Sequence, residues 1–173
     1  MIEIEVKILE VDVNEITQKL KKLGAKKVFD GEMDTCIFDY PDRSIWKNNG
    51  LFRLRKKGDC TELTFKKKAK TKIVKSAEEL EVNVSDFETT RKIIKLLGLK
   101  EHTRVAKHRT SYSLKDAHFE LDTYPGIPTF LEIETTSAKK IKEYVNMIGF
   151  TMKDTKAWSG RDVFKHYGKK IWI

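Results

Sequence analysis

Ile2, Ile4, Val6 and Ile8 alternate with Glu3, Glu5 and Lys7 at the start of the chain. Successive side chains on a strand point to opposite faces, so this period of two predicts a strand over 2–9 with one apolar and one charged face. Further strands are predicted near 26–39, 51–57, 62–67, 77–84, 102–114, 117–124 and 129–136, with the 26–39 run long enough to bend or split. Three stretches instead space their apolar residues three and four apart. Val13, Ile16, Leu20 and Leu23 lie between Asp12 and Gly24. Ile93, Ile94 and Leu97 follow a Ser85/Glu88 capping box and stop at Gly98. Ile141, Tyr144, Val145 and Ile148 lie between Ser137 and Gly149. Each predicts a helix with a core-facing stripe, started by a capping side chain and stopped by glycine.

The links Lys57-Gly58-Asp59-Cys60 and Leu114-Lys115-Asp116 are short enough for hairpins, which implies mostly antiparallel pairing. With three prolines and no Gly/Ser/Pro-rich linker, the whole of 1–173 reads as a single α+β domain. The formal net charge of +9, from 35 Lys and Arg against 26 Asp and Glu, favours an anionic partner such as a polyphosphate, or else marks a merely soluble lysine-rich surface. Cys36 and Cys60 form no CxxC motif, and His102, His108, His118 and His166 have no metal-ligand spacing. No phosphate-binding glycine loop is present. Without a signal-like segment or a run of roughly 20 apolar residues, the expectation is a cytoplasmic protein with no membrane partner.

The charged faces change this picture. Arg53 and Arg55 share a face, opposite Phe52 and Leu54; Lys66 shares one with Glu62 and Thr64, opposite Leu63 and Phe65. Glu79 and Glu81, Lys107 and Arg109, Glu120 and Asp122, and Glu132 and Glu134 are further same-face pairs. A wet face of an antiparallel sheet looks similar. Yet such a face usually mixes charges within each strand, whereas several strands here carry one sign. That implies repulsion unless something neutralises it. Acidic strands suit a divalent metal, and basic strands suit phosphate.

Glu3-Ile4-Glu5-Val6-Lys7 matches the ExExK signature of the CYTH superfamily, the triphosphate tunnel metalloenzymes. Asp34-Thr35-Cys36-Ile37-Phe38-Asp39, Leu51-Phe52-Arg53-Leu54-Arg55, Leu63-Thr64-Phe65-Lys66, Glu79-Leu80-Glu81, Lys107-His108-Arg109, Leu121-Asp122 and Phe130-Leu131-Glu132-Ile133-Glu134 resemble the family's later motifs, in order. The resemblance implies a closed eight-stranded antiparallel β-barrel, a charged tunnel, with flanking helices. It implies that Glu3, Glu5, Glu132 and Glu134, helped by Asp122 and Glu81, hold Mg²⁺ or Mn²⁺. Lys7, Arg53, Arg55, Lys66, Lys107 and Arg109 would hold the triphosphate, with Glu5, Lys7, Arg55 and Lys66 taken as catalytic. The C-terminal stretch Lys156-Ala157-Trp158-Ser159-Gly160-Arg161 departs from the family pattern. Family members often dimerise, which makes a homodimer an expectation too.

Two reactions fit such a site. Water can attack the terminal phosphorus of inorganic triphosphate, ATP or thiamine triphosphate, or the ribose 3′-hydroxyl of ATP can attack the α-phosphorus and release pyrophosphate. The reading favours hydrolysis, with the class IV adenylate cyclase reaction as alternative. A non-enzymatic RNA- or polyanion-binding module is a second alternative. It is disfavoured because Phe52 and Phe65 lie opposite the basic residues, whereas nucleic-acid readers interleave the two.

Overall fold

A computed structural model describes residues 4–68 and 77–170. They fall into two compact units, one from the N-terminal segment to Gly31 with Lys107–Lys170, the other from Glu32–Ala106. In order, the elements are β1 (Ile4–Ile8), α1 (Val13–Lys22), β2 (Lys26–Asp39), α2 (Ser44–Lys47), β3 (Gly50–Lys57), β4 (Cys60–Lys68) and β5 (Ala77–Val84). There follow α3 (Phe87–Leu96), β6 (Lys100–Leu114), β7 (Ala117–Tyr124), β8 (Ile127–Thr135), α4 (Ala138–Met147), β9 (Thr155–Lys156) and α5 (Gly160–His166). The long strands β2 and β6 each run from one unit into the other.

In the first unit the strand order is β2-β6-β7-β8-β1-β9. The β6–β7, β7–β8, β8–β1 and β1–β9 pairs are antiparallel. The β6–β7 link is a two-residue hairpin with Leu114 opposite Ala117. In the β7–β8 hairpin Tyr124 faces Ile127 across Pro125-Gly126. Gly126 sits at φ 71°, the left-handed conformation that the third residue of a type II turn needs after proline. One sheet face is apolar, and Ile8, Leu114, Phe119, Leu121, Leu131 and Ile133 pack there with Ile16 and Leu20 of α1 and Ile141, Tyr144 and Val145 of α4. Each such fully buried aliphatic side chain contributes about 1.5–3 kcal/mol. The opposite face carries Lys7, Arg109, Glu120, Asp122, Glu132 and Glu134.

In the second unit the order is β5-β4-β3-β2-β6. Gly58-Asp59 makes the expected hairpin, with Lys57 opposite Cys60. Cys36, Phe38, Leu54, Phe87 and Ile94 form the core, flanked by Phe52 and Leu63. Phe38, Phe52 and Phe65 follow one another across the sheet with ring centroids 6.3 Å apart at each step.

The α+β antiparallel architecture with flanking helices agrees with the sequence reading, although α2, α5 and β9 were not predicted. The described strands number nine, and their ladder is not closed by hydrogen bonds, ending at β5 in one unit and β9 in the other. The short strand β9 pairs with only the Lys7–Ile8 end of the second edge of β1. The second helix is capped by Asp86, whose carboxylate accepts from the Thr89 amide, rather than by Ser85. Ser85 falls in the bend after β5, and aspartate at the next position brings both an acceptor and a negative charge to the helix start. No helix among the described residues is long and apolar enough to cross a membrane.

Candidate active site

The polar face of the first unit is ordered by strand register. Ser111 of β6 pairs with Glu120 of β7, Glu120 with Glu132 of β8, and Glu132 with Lys7 of β1. One step along, His118 faces Glu134, and Glu134 faces Glu5. On the other side Arg109 faces Asp122. The period of two in each strand thus turns sequence pairs into cross-strand rows.

Opposite charges are mostly matched along these rows. Lys7 is only 2% exposed, and its ammonium lies 2.8 Å from Glu132 and 3.1 Å from Glu5. Burial opposes its charge, but Glu132 and Glu5 outweigh it and raise the Lys7 pKa. Burial likewise works against Glu132, yet Lys7 and Arg109 hold its carboxyl well below the usual range. Asp122 is 1% exposed and receives three donors at 2.6 Å: Lys107 Nζ, Arg109 Nε and a terminal nitrogen of Arg109. Arg109 also reaches Glu120 with its other terminal nitrogen. Burial pulls Lys107 down to about 8, with Arg109 adding to the effect and Asp122 opposing it.

Between β7 and β8 acidic strand meets acidic strand. Carboxylate oxygens of Glu120, Glu132 and Glu134 lie within 4.8 Å of one another. Like charges directly opposite on a sheet repel. Burial, with Glu132 and Asp122 adding to it against Arg109, raises the Glu120 pKa. Burial and then Glu132 raise that of Glu5, against Lys7. Beside Glu120, the Ser111 hydroxyl is buried with no hydrogen-bond partner among the described residues. Three hard oxygen donors that repel one another, next to an unsatisfied hydroxyl, fit a hydrated divalent cation such as Mg²⁺ or Mn²⁺.

The second unit carries its own charged face. Arg53 donates to the Thr64 hydroxyl at 3.2 Å, and Thr64 donates to Glu81 at 3.0 Å, so one row is a continuous hydrogen-bonded chain. Lys66 pairs with Glu79 at 2.7 Å. Burial and the neighbouring Arg55 pull Arg53 down to about 10 despite Glu79, and its buried Nε has no hydrogen-bond partner among the described residues. The Asp34 and Asp39 carboxylates of β2 serve structure here. Asp34 grips Arg104 of β6, and Asp39 accepts from the Tyr40, Ile45 and Trp46 amides and so starts α2.

Of the residues singled out in the sequence, Glu5, Lys7, Lys107, Arg109, Asp122, Glu132 and Glu134 share the polar face of the first unit. Arg53, Arg55, Lys66 and Glu81 belong to the second, and Glu3 lies outside the described residues. Glu120 joins Glu132 and Glu134 in the acidic cluster although it was noted only as half of a same-face pair. Its signal was that pairing with Asp122, together with the strand register that puts it opposite Glu132. Trp158 packs with Phe130 and Val163 around α5, a helix started by a Ser159/Asp162 capping box that the sequence reading did not include.

The CYTH domain model matches residues 1–146. The chain belongs to the CYTH domain family. A Methanocaldococcus jannaschii relative of this family, provisionally named an adenylate cyclase, is 34% identical over 134 residues, which cover 78% of this chain and 77% of that one. The solved structure of the PH1012 protein from Pyrococcus horikoshii is 28% identical and superposes with a TM-score of 0.75, covering 94% of this chain and 99% of the other. A Hippeastrum protein, described as a provisional adenylyl cyclase that reveals a dominant triphosphatase activity, shares the CYTH fold at 14% identity. Its TM-score is 0.68, and the match covers 98% of this chain and 96% of that one.

Proposed function

We propose that this CYTH protein is a divalent-metal-dependent enzyme that hydrolyses the terminal phosphate of a triphosphate. The observation that carries this reading is the meeting of like charges between β7 and β8, where Glu120, Glu132 and Glu134 converge within 4.8 Å while the neighbouring strands are matched in sign. These three, with Glu5, are the residues to hold Mg²⁺ or Mn²⁺, which when bound supplies a Lewis acid for phosphate and an acidified water. Glu3 and Glu81 are proposed as further acidic contributors. Lys7, Lys107 and Arg109 bind and orient phosphate oxygens from the first unit, and Arg53, Arg55 and Lys66 are proposed for the same role in the second. Lys7, held between Glu132 and Glu5, keeps one of its three ammonium protons for a phosphate. Phosphoryl transfer is catalysed mainly by such positioning and charge neutralisation, so no protein nucleophile is needed.

The second reading is cyclisation of ATP to cyclic AMP and pyrophosphate. It is favoured by the name of the M. jannaschii relative at 34% identity. Products separate the two. Orthophosphate without cyclic AMP from ATP supports hydrolysis, and cyclic AMP with pyrophosphate makes the protein a cyclase. Turnover of neither ATP nor inorganic triphosphate with Mg²⁺ or Mn²⁺ would exclude both.

A further inference from the structure

Asp122 stands apart from the other acidic residues of the polar face. It is 1% exposed, and both of its oxygens are already occupied. Oδ1 accepts from Arg109 Nε, and Oδ2 accepts from a terminal nitrogen of Arg109 and from Lys107 Nζ, each at 2.6 Å. The Arg109 contact is a two-pronged fork that fixes the guanidinium plane. The remaining terminal nitrogen of Arg109 turns toward Glu120, a member of the acidic cluster. Lys107 is held from another side by the Tyr124 ring, 5.4 Å from its ammonium. Asp122 is also absent from the set of carboxylates within 4.8 Å of one another. A cation approaching Asp122 would have to displace two charged side chains.

We infer that Asp122 is a positioning residue for anion binding: its carboxylate clamps Lys107 and Arg109 in one fixed arrangement, and these two cations then receive the phosphate oxygens. This inference rests on the triphosphate reading above and assigns Asp122 to the anion side of the site rather than to the metal. Two buried cations brought together would repel each other and lose their fixed geometry without the shared carboxylate.

Calorimetry with two probes tests this on the full chain: Mn²⁺ alone, and inorganic triphosphate in EDTA. Asp122→Asn is expected to weaken triphosphate binding by about 10–100-fold, the usual effect of losing an orienting partner, while Mn²⁺ affinity stays within about twofold of wild type. Asp122→Glu, which keeps the carboxylate, is expected to recover part of the triphosphate affinity. If Asp122→Asn folds poorly, Asp122→Asn/Lys107→Met removes an unpaired buried charge along with the carboxylate and is again expected to bind Mn²⁺ as wild type does. Loss of Mn²⁺ binding in either variant would make Asp122 a metal ligand and overturn the inference, as would unchanged or tighter triphosphate binding by Asp122→Asn. Wild-type protein that binds neither probe would overturn the triphosphate reading itself, and this inference with it.

Discussion

Single residues in this chain owe their behaviour to their strand neighbours more than to their type. The two cysteines show this. Cys36 is fully buried in the core of the second unit, and burial pushes its thiol up to about 11, whereas Cys60 is exposed at a hairpin. The thiolate is the reactive form, so a thiol reagent near neutral pH is expected to label Cys60 and leave Cys36 unmodified until the protein unfolds. Equal rapid labelling of both would contradict the packing described for β2. Asp116, in the β6–β7 turn, accepts from Lys140 at 2.6 Å, Tyr144 at 2.8 Å and Thr135 at 3.1 Å. Lys140, then Tyr144, hold its carboxyl well below the usual range. A depressed folded-state pKa gives stability that is present above the unfolded value, about 3.9, and is lost as pH falls through the folded one. Asp116→Asn is therefore expected to melt below wild type at pH 7, with the gap closing as pH drops below about 4. Thermal melts across pH check this, and a gap of constant size down to pH 2 would count against it.

At the scale of elements, strands and helices were legible because each carries a clean period. The sequence alternation in Glu5-Val6-Lys7-Ile8 reappears as a buried apolar face and a polar face of β1. Short pieces fixed by one distant side chain were not legible. Helix α2, of four residues, depends on Asp39 at the end of β2, which no local pattern ties to Ser44. The two-residue strand β9 depends wholly on the free edge of β1. The junction of α2 with β3 also explains Gly50. A Cβ there would lie 2.7 Å from Ile45 Cγ2 and 2.9 Å from the Ile45 carbonyl oxygen. Because the backbone carbonyl cannot swing away as a side chain would, Gly50→Ala is expected to cost about 1–3 kcal/mol, read by denaturant unfolding. A variant as stable as wild type would show that α2 is not seated as described.

For the molecule as a whole, the informative property is the arrangement of sign rather than the +9 total. Strands of a single sign suggested repulsion awaiting a ligand. The structure resolves most of it internally, because β6 lies beside β7, β4 beside β5, and Lys7 of β1 beside Glu132 of β8. Strand neighbours cannot be read from a sequence in which Ile8 of β1 pairs with a residue as distant as Leu131 of β8. That is why Glu120 was seen only as half of a same-face pair with Asp122, and why the ion-paired state of Lys7, Lys107 and Arg109 was not foreseen. What distinguishes the β7–β8 seam is the convergence of three carboxylates within 4.8 Å, and the account of function stands on it. The most direct test is orthophosphate release from inorganic triphosphate by wild type and Glu132→Gln, each with Mg²⁺, with Mn²⁺ and with EDTA. The account predicts turnover by wild type that stops in EDTA, and loss of at least about 100-fold in Glu132→Gln, consistent with removal of a group that both ligates a metal and holds Lys7. Undiminished turnover in EDTA, or a Glu132→Gln variant as active as wild type, would contradict it.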